Sequence, residues 1–148
     1  MKVLITSDIH GDLDKLIRLR EIETFDLHLD AGDSNLHVDN LKMMQIISVK
    51  GNTDFFSQLP PIRVVENYLG KIIIVHGHTQ NVKYGFDLIE SVANNLRADY
   101  LIYGHTHIPR IEKVNNITYI NPGSLRYGNT YAVIENDKIE IKEMQDGK

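Results

Sequence analysis

The chain has 148 residues, 42% of them hydrophobic and 24% charged, with a net charge of −4. That length reads as one domain over residues 1–148, with core enough to fold without disulfides, and the acidic balance gives no basic footprint for nucleic acid. Cysteine is absent, which excludes disulfides, thiolate metal sites and cysteine nucleophiles. No apolar run approaches the ~20 residues of a transmembrane helix. The opening run Met1–Ile5 is too short, and too soon followed by Asp8, for a signal peptide. The expectation is a soluble, cytoplasmic protein.

Residues 2–7 read as a buried strand, apolar and β-branched, closed by Ser7-Asp8. Asp12 is placed to cap a helix running from Leu13 to about Arg20. That helix returns the chain for a second, parallel strand at Leu27–Leu29. Residues 33–39 read as a polar loop, with Asn40 capping a short helix that reaches Gln45. Ile46–Val49 is a third strand, and residues 53–61, with Pro60-Pro61, are a connection. Arg63–Glu66 and Lys71–Val75 read as a hairpin, residues 79–85 as a polar loop. Asp87–Arg97 carries Leu88, Ile89, Val92, Ala93 and Leu96 at helical spacing. Tyr100–Tyr103 is again strand-like. Two further hairpins follow, Ile111–Val114 with Ile117–Ile120, and Tyr131–Glu135 with Ile139–Met144; residues 146–148 are expected to fray. The alternation of strand and helix, followed by strand on strand, predicts an α/β layered fold with mixed sheets.

The apolar runs share a design. Each stops, usually beside a glycine, and a metal-ligand side chain follows. The residues so placed are Asp8, His10, Asp33, Asn52, His76, His105 and His107. His105 and His107 are two apart, so in extended backbone both point to one side. In open α/β sheets, ligands bind at the carboxyl ends of strands. Imidazole with carboxylate suits manganese, iron, zinc, cobalt or nickel. Seven ligands are too many for one tetrahedral ion. They suit two metals sharing a carboxylate, ~3.5–4 Å apart, which together bind a phosphate and acidify a bridging water.

Asp8-x-His10, Gly32-Asp33, Gly51-Asn52-x-Asp54, His76-Gly77-His78 and Gly104-His105-Thr106-His107, in that order, resemble the motifs of calcineurin-like metallophosphoesterases. The short length and Asn121-Pro-Gly-Ser124 further resemble the small phosphodiesterase branch, to which the retromer scaffold subunit also belongs. The resemblance implies a β-sandwich flanked by helices. It implies that Asp8, His10 and His107 hold one metal, that Asn52, His76 and His105 hold a second, and that Asp33 bridges them. Manganese is the leading cofactor, with nickel, iron, zinc, cobalt or magnesium as alternatives. The implied reaction is in-line attack on a phosphate ester by a hydroxide bridging the two metals, on a small phosphodiester rather than a phosphomonoester. The alternative is a non-catalytic, protein-binding scaffold on the same fold.

One position departs from the family. Many relatives carry a histidine after the Gly-Asn pair, and Thr53 stands there instead. That passes leaving-group protonation to His78 or water, and leaves Asp54 free to hydrogen-bond its own turn. His78, with Asn52 and Asp33, is assigned to catalysis. Outside the motifs, His28 is expected to pack or hydrogen-bond within the sheet. His37 is a loop residue within reach of substrate, Asp12 a cap or a group behind a ligand, and Asp30 a group orienting a ligand or a turn carboxylate. Arg110 and Arg126 read as solvated charges, and Tyr84, Phe86 and Tyr127 as packing residues or pocket walls. The hairpins leave a sheet edge suited to a homo-oligomer.

Overall fold

Strand β1 (Lys2–Thr6) pairs in parallel with β2 (Leu27–Asp30), and β2 in parallel with β3 (Ile46–Ser48). The computed structural model describes residues 1–145; residues 146–148, expected to fray, lie outside it. Parallel pairing requires a crossover, supplied first by helix α1 (Leu13–Ile22) and then by α2 (Val38–Met43). Asp12 caps α1 by accepting the Lys15 N–H. The second helix differs from expectation. His37, not Asn40, is its cap, because its Nδ1 accepts the Asp39 N–H at 3.1 Å and the helix starts three residues earlier.

Beyond the connection lie β4 (Ile62–Asn67) and β5 (Gly70–Val75), an antiparallel pair. The loop before α3 (Asp87–Asn95) contains one 3-10 turn, Val82–Tyr84, where Val82 is buried and its N–H reaches the Gly77 carbonyl. Then come β6 (Tyr100–Ile102), β7 (Arg110–Val114) and β8 (Ile117–Asn121). A short helix, α4 (Leu125–Gly128), stands where no element was expected; Ser124 Oγ caps it by accepting the Tyr127 N–H. Strands β9 (Thr130–Glu135) and β10 (Lys138–Glu143) close the chain as a hairpin.

Two mixed five-stranded sheets result, ordered β10-β9-β1-β2-β3 and β4-β5-β6-β8-β7. They pack face to face through Val3, Ile5 and Leu29 of the first and Ile72, Ile74 and Ile120 of the second. Side chains alternate across a strand, so Leu4 and Val133 turn outward against Leu16 and Leu19 of α1 and Leu41 of α2. On the far face Ile73 and Leu101 meet Ile89 and Ala93 of α3. The layered α/β expectation holds. Among the described residues no helix is long and apolar enough to cross a membrane. The parallel strands β1, β2 and β3 of one sheet, and β5 and β6 of the other, end at one rim, where the loops are stitched together: Asp8 N–H to Gly32 O, His10 N–H to Asp33 O, and Gly104 N–H to His76 O.

Candidate metal centre

Each β-strand that ends at this rim stops in a tight turn, and the turns carry the polar residues. Asp8, His10, Asp33, His105 and His107 have φ between 46° and 71°. Non-glycine residues avoid this left-handed region, at a cost of about 1–3 kcal/mol each, and such strain persists where surrounding contacts over-determine it. Here the determining contacts are close. A Cβ on Gly51 would strike the Asp33 carboxylate, and one on Gly104 would strike Ser7 Oγ and lie 2.7 Å from Asp8 Oδ2. Only glycine lets these turns approach so nearly.

Two clusters form. Asp8, His10 and His107 place one ligand atom each within 4.8 Å of one another, and so do Asp33, His76 and His105. Asp8 stands between them. Its Oδ1 is 3.2 Å from His107 Nε2, 3.5 Å from His10 Nε2 and 3.8 Å from His76 Nε2. Asp33 Oδ2 is 3.1 Å from His76 Nε2. Asn52 is exposed in the turn beyond β3 and lines a cleft of about 430 Å³ together with His78.

Buried polar atoms normally find partners, yet Asp8 Oδ1, His10 Nε2, His76 Nε2 and His78 Nδ1 are buried without a hydrogen bond among the described residues. Three of them converge, with Asp8 Oδ1 3.5 Å from His10 Nε2 and 3.8 Å from His76 Nε2. Mixed imidazole and carboxylate donors in this arrangement fit divalent transition metals.

The groups behind the ligands were largely invisible in the sequence. His10 Nδ1 meets Asn35 Oδ1 at 3.1 Å and His76 Nδ1 meets the Ala31 carbonyl at 2.8 Å. Both contacts fix the ring with Nε2 directed inward. Ser7 Oγ donates to Asp8 Oδ2 at 2.6 Å, and the His105 N–H reaches the same oxygen at 3.1 Å. Arg126, expected to be solvated, donates to the His10 carbonyl at 2.6 Å. Tyr127 packs its ring 5.3 Å from His10 and 5.7 Å from His107. Only the left-handed tendency of an asparagine two residues after Asp33 would have flagged Asn35.

Asp30 and His28 join a buried chain. Arg20 donates to His28 Nδ1, His28 Nε2 meets Thr6 Oγ1, and Thr6 donates to Asp30 Oδ1. Ser48 Oγ and the Gly32 N–H both donate to Asp30 Oδ2, so Asp30 holds the turn that presents Asp33. His28 therefore bonds within the sheet, as expected. Complete burial, then the Arg20 charge, push it down to about 3. Burial pushes Asp30 up to about 7 despite its three donors.

The ligands show the opposite balance. Burial alone would raise Asp8 and Asp33, but the adjacent His107 and His76 rings and the Ser7 and Thr53 donors hold both carboxyls below their usual range. Burial and the His76 charge push His105 down to about 4 and lower His78 as well. His105 is thereby neutral at pH 7, the state a metal ligand requires. Arg110, read as solvated, lies over the Phe86 ring 3.8 Å from its centroid and pairs with Tyr103 and Glu112. Tyr84 is exposed.

Known proteins resemble this chain in sequence and fold. Residues 1–138 match the calcineurin-like phosphoesterase superfamily domain. The chain is 32% identical to the probable metallophosphoesterase YsnB of Bacillus subtilis, over 96% of this chain and 89% of that one. It is 26% identical to the phosphodiesterase YfcE of Escherichia coli, over 99% and 94%. Among solved structures, a predicted phosphoesterase of Streptococcus pneumoniae superposes with a TM-score of 0.85 at 30% identity, covering 99% of this chain and 93% of that one. Vps29 of Entamoeba histolytica in complex with Zn2+ superposes with a TM-score of 0.80 at 24% identity, over 100% and 95%, a likeness of fold. The chain belongs to the calcineurin-like phosphoesterase superfamily.

Proposed function

We propose that the chain acts as one domain that hydrolyses small phosphodiesters with two divalent metals, manganese first among them, in the cytoplasm. The observation that carries this reading is the convergence of unpaired, buried Asp8 Oδ1, His10 Nε2 and His76 Nε2. Asp8, His10 and His107 would hold one metal, and Asn52, His76 and His105 the other, with Asp33 shared. When bound, the metals supply Lewis acidity toward the phosphate oxygens and a hydroxide nucleophile for in-line attack at phosphorus.

The chain's own residues do the rest. Asp33 is fixed from two sides, since its Oδ1 accepts the Thr53 N–H at 2.8 Å and its own N–H donates to Asp54 Oδ2 at 2.9 Å. His78, with Nδ1 unpaired and Asn52 across the same cleft, contacts phosphate or gives a proton to the departing oxygen, the role Thr53 has no group to fill. The diester preference has support in the relative named a phosphodiesterase.

The test is hydrolysis of bis(p-nitrophenyl) phosphate and of p-nitrophenyl phosphate by metal-stripped protein. Manganese, nickel, zinc and magnesium are added back in turn, beside the Asp33→Ala and His78→Ala variants. Metal-restored turnover that favours the diester and vanishes in Asp33→Ala is expected. His78→Ala should keep its metal and turn over slowly. Two metals bound per chain with neither ester hydrolysed would sink the enzyme reading and favour a scaffold on the same fold.

A further inference from the structure

Two phenylalanines beside the metal centre have no packing role. Phe55 is 74% exposed and Phe56 fully exposed. Phe56 also has φ 63°, the left-handed conformation that a bulky residue adopts at a cost. A solvated aromatic pair with one strained member is unusual in a folded domain. Its base is rigid. Asp54 accepts the N–H groups of Asp33, Gly51 and Asn35, and the Lys50 N–H closes the loop neck on the Pro60 carbonyl at 2.9 Å. The pair is thus tied to the turn that presents Asn52 and to the turn that presents Asp33.

The two rings stand between two clefts. One, about 430 Å³, also has Asn52 and His78 in its wall. The other, about 660 Å³, is walled by Asn35, His37, Thr53 and Gln58 as well as the rings, a size that suits a nucleoside-sized group. Phenylalanine offers only a flat apolar face, so its partner must present a flat face too. Gln58 and His37 in the same wall offer an amide and an imidazole, which suit a ring whose edge carries donors and acceptors. A nucleobase has both.

We propose that Phe55 and Phe56 form a specificity-determining wall that stacks on the nucleobase of a nucleoside phosphodiester whose phosphate lies at the metal centre. The proposal rests on the phosphoesterase reading for the phosphate and on the aromatic wall for the base.

Two esters with one leaving group test it, thymidine 5′-(p-nitrophenyl) phosphate and methyl p-nitrophenyl phosphate. The wild type should favour the thymidine ester in kcat/KM. Phe55→Ala/Phe56→Ala should reduce that preference by about tenfold, within the range of base–aromatic stacking, while turnover of the methyl ester holds. An unchanged preference, or equal losses on both esters, would overturn the wall. A concentration-dependent dimer in sedimentation that the double variant abolishes would also overturn it, because a second copy would then cover the rings. If neither ester is hydrolysed with any metal, the enzyme reading fails and binding decides the wall alone. The chain has four phenylalanines, so a ring-labelled NMR spectrum is simple. Titration with thymidine 5′-monophosphate should shift the Phe55 and Phe56 rings, and inorganic phosphate should not. No shift beyond that of phosphate would overturn the proposal.

Discussion

Asp54 anchors Asp33 through the backbone: the Asp33 N–H donates to Asp54 Oδ2 at 2.9 Å, and the Gly51 N–H donates to the same oxygen at 2.7 Å. Its other oxygen takes the Asn35 N–H at 3.0 Å. One buried carboxylate therefore joins three turns. Asp54→Ala leaves three backbone donors unpaired, which costs about 3 kcal/mol and should lower Tm by roughly 10 °C by calorimetry. Asp54→Asn keeps an acceptor but turns an N–H2 toward other donors, so it should fall between. A wild-type Tm for the alanine variant would show that the turns hold without this anchor.

Asn35 acts one layer behind the ligands. Its Oδ1 fixes His10 Nδ1, while its Nδ2 donates to the Thr53 carbonyl and to Asp54 Oδ1. Loss of a partner that orients a ligating imidazole weakens metal affinity by about 10–100-fold. Calorimetric titration of manganese into Asn35→Ala should show the weakening in one of two binding events, the one at Asp8, His10 and His107. Equal weakening of both would mean that Asn35 holds the loops and not the ring.

Gly104 gives a steric test. A methyl group there must displace Ser7 Oγ, whose hydroxyl holds Asp8 Oδ2. Overpacking of this kind costs about 1–3 kcal/mol. Gly104→Ala should unfold several degrees early, and its metal content after dialysis should fall at the Asp8 cluster before the Asp33 cluster. Unchanged metal content would show that Ser7 and Asp8 give way freely.

The clustering of Asp8, His10 and His107, and of Asp33, His76 and His105, was legible because each residue sits where an apolar run breaks, and a buried strand that ends in Gly and His or Asp has few structural explanations. His105 and His107 owe their visibility to the short run Tyr100–Tyr103 before them. The groups that orient the ligands were not legible. Asn35, Ser7 and the Ala31 carbonyl reach His10, Asp8 and His76 through loops brought together by the rim, and no local pattern encodes that meeting. Helix α4 was missed for a different reason: four residues carry no period. The α2 start was misplaced because an imidazole accepting a backbone N–H is a rarer cap than asparagine.

Glu23, far from the rim, sets the acid response of the fold. At the end of α1 its carboxylate accepts from Tyr131 Oη at 2.5 Å, Lys142 Nζ at 2.9 Å and Lys2 Nζ at 3.0 Å, which ties the helix to β9, β10 and β1. Burial alone would raise this carboxyl, but the three donors outweigh it and bring it from 4.5 down to about 2. A carboxyl depressed in the folded state stabilises the fold above its unfolded pKa, and that stabilisation is lost as pH falls through the folded value. The contribution, about 2 kcal/mol with allowance for the partly solvated lysines, is full above pH 5 and disappears toward pH 2. Urea denaturation of wild type and Glu23→Gln, both with chelator so that metal release does not intrude, should show a gap of that size at pH 7 that narrows steadily below about pH 4.5. A gap that stays constant from pH 7 to pH 3 would mean that the glutamate contributes through packing and neutral hydrogen bonds, and that its charge does not hold the helix to the sheet.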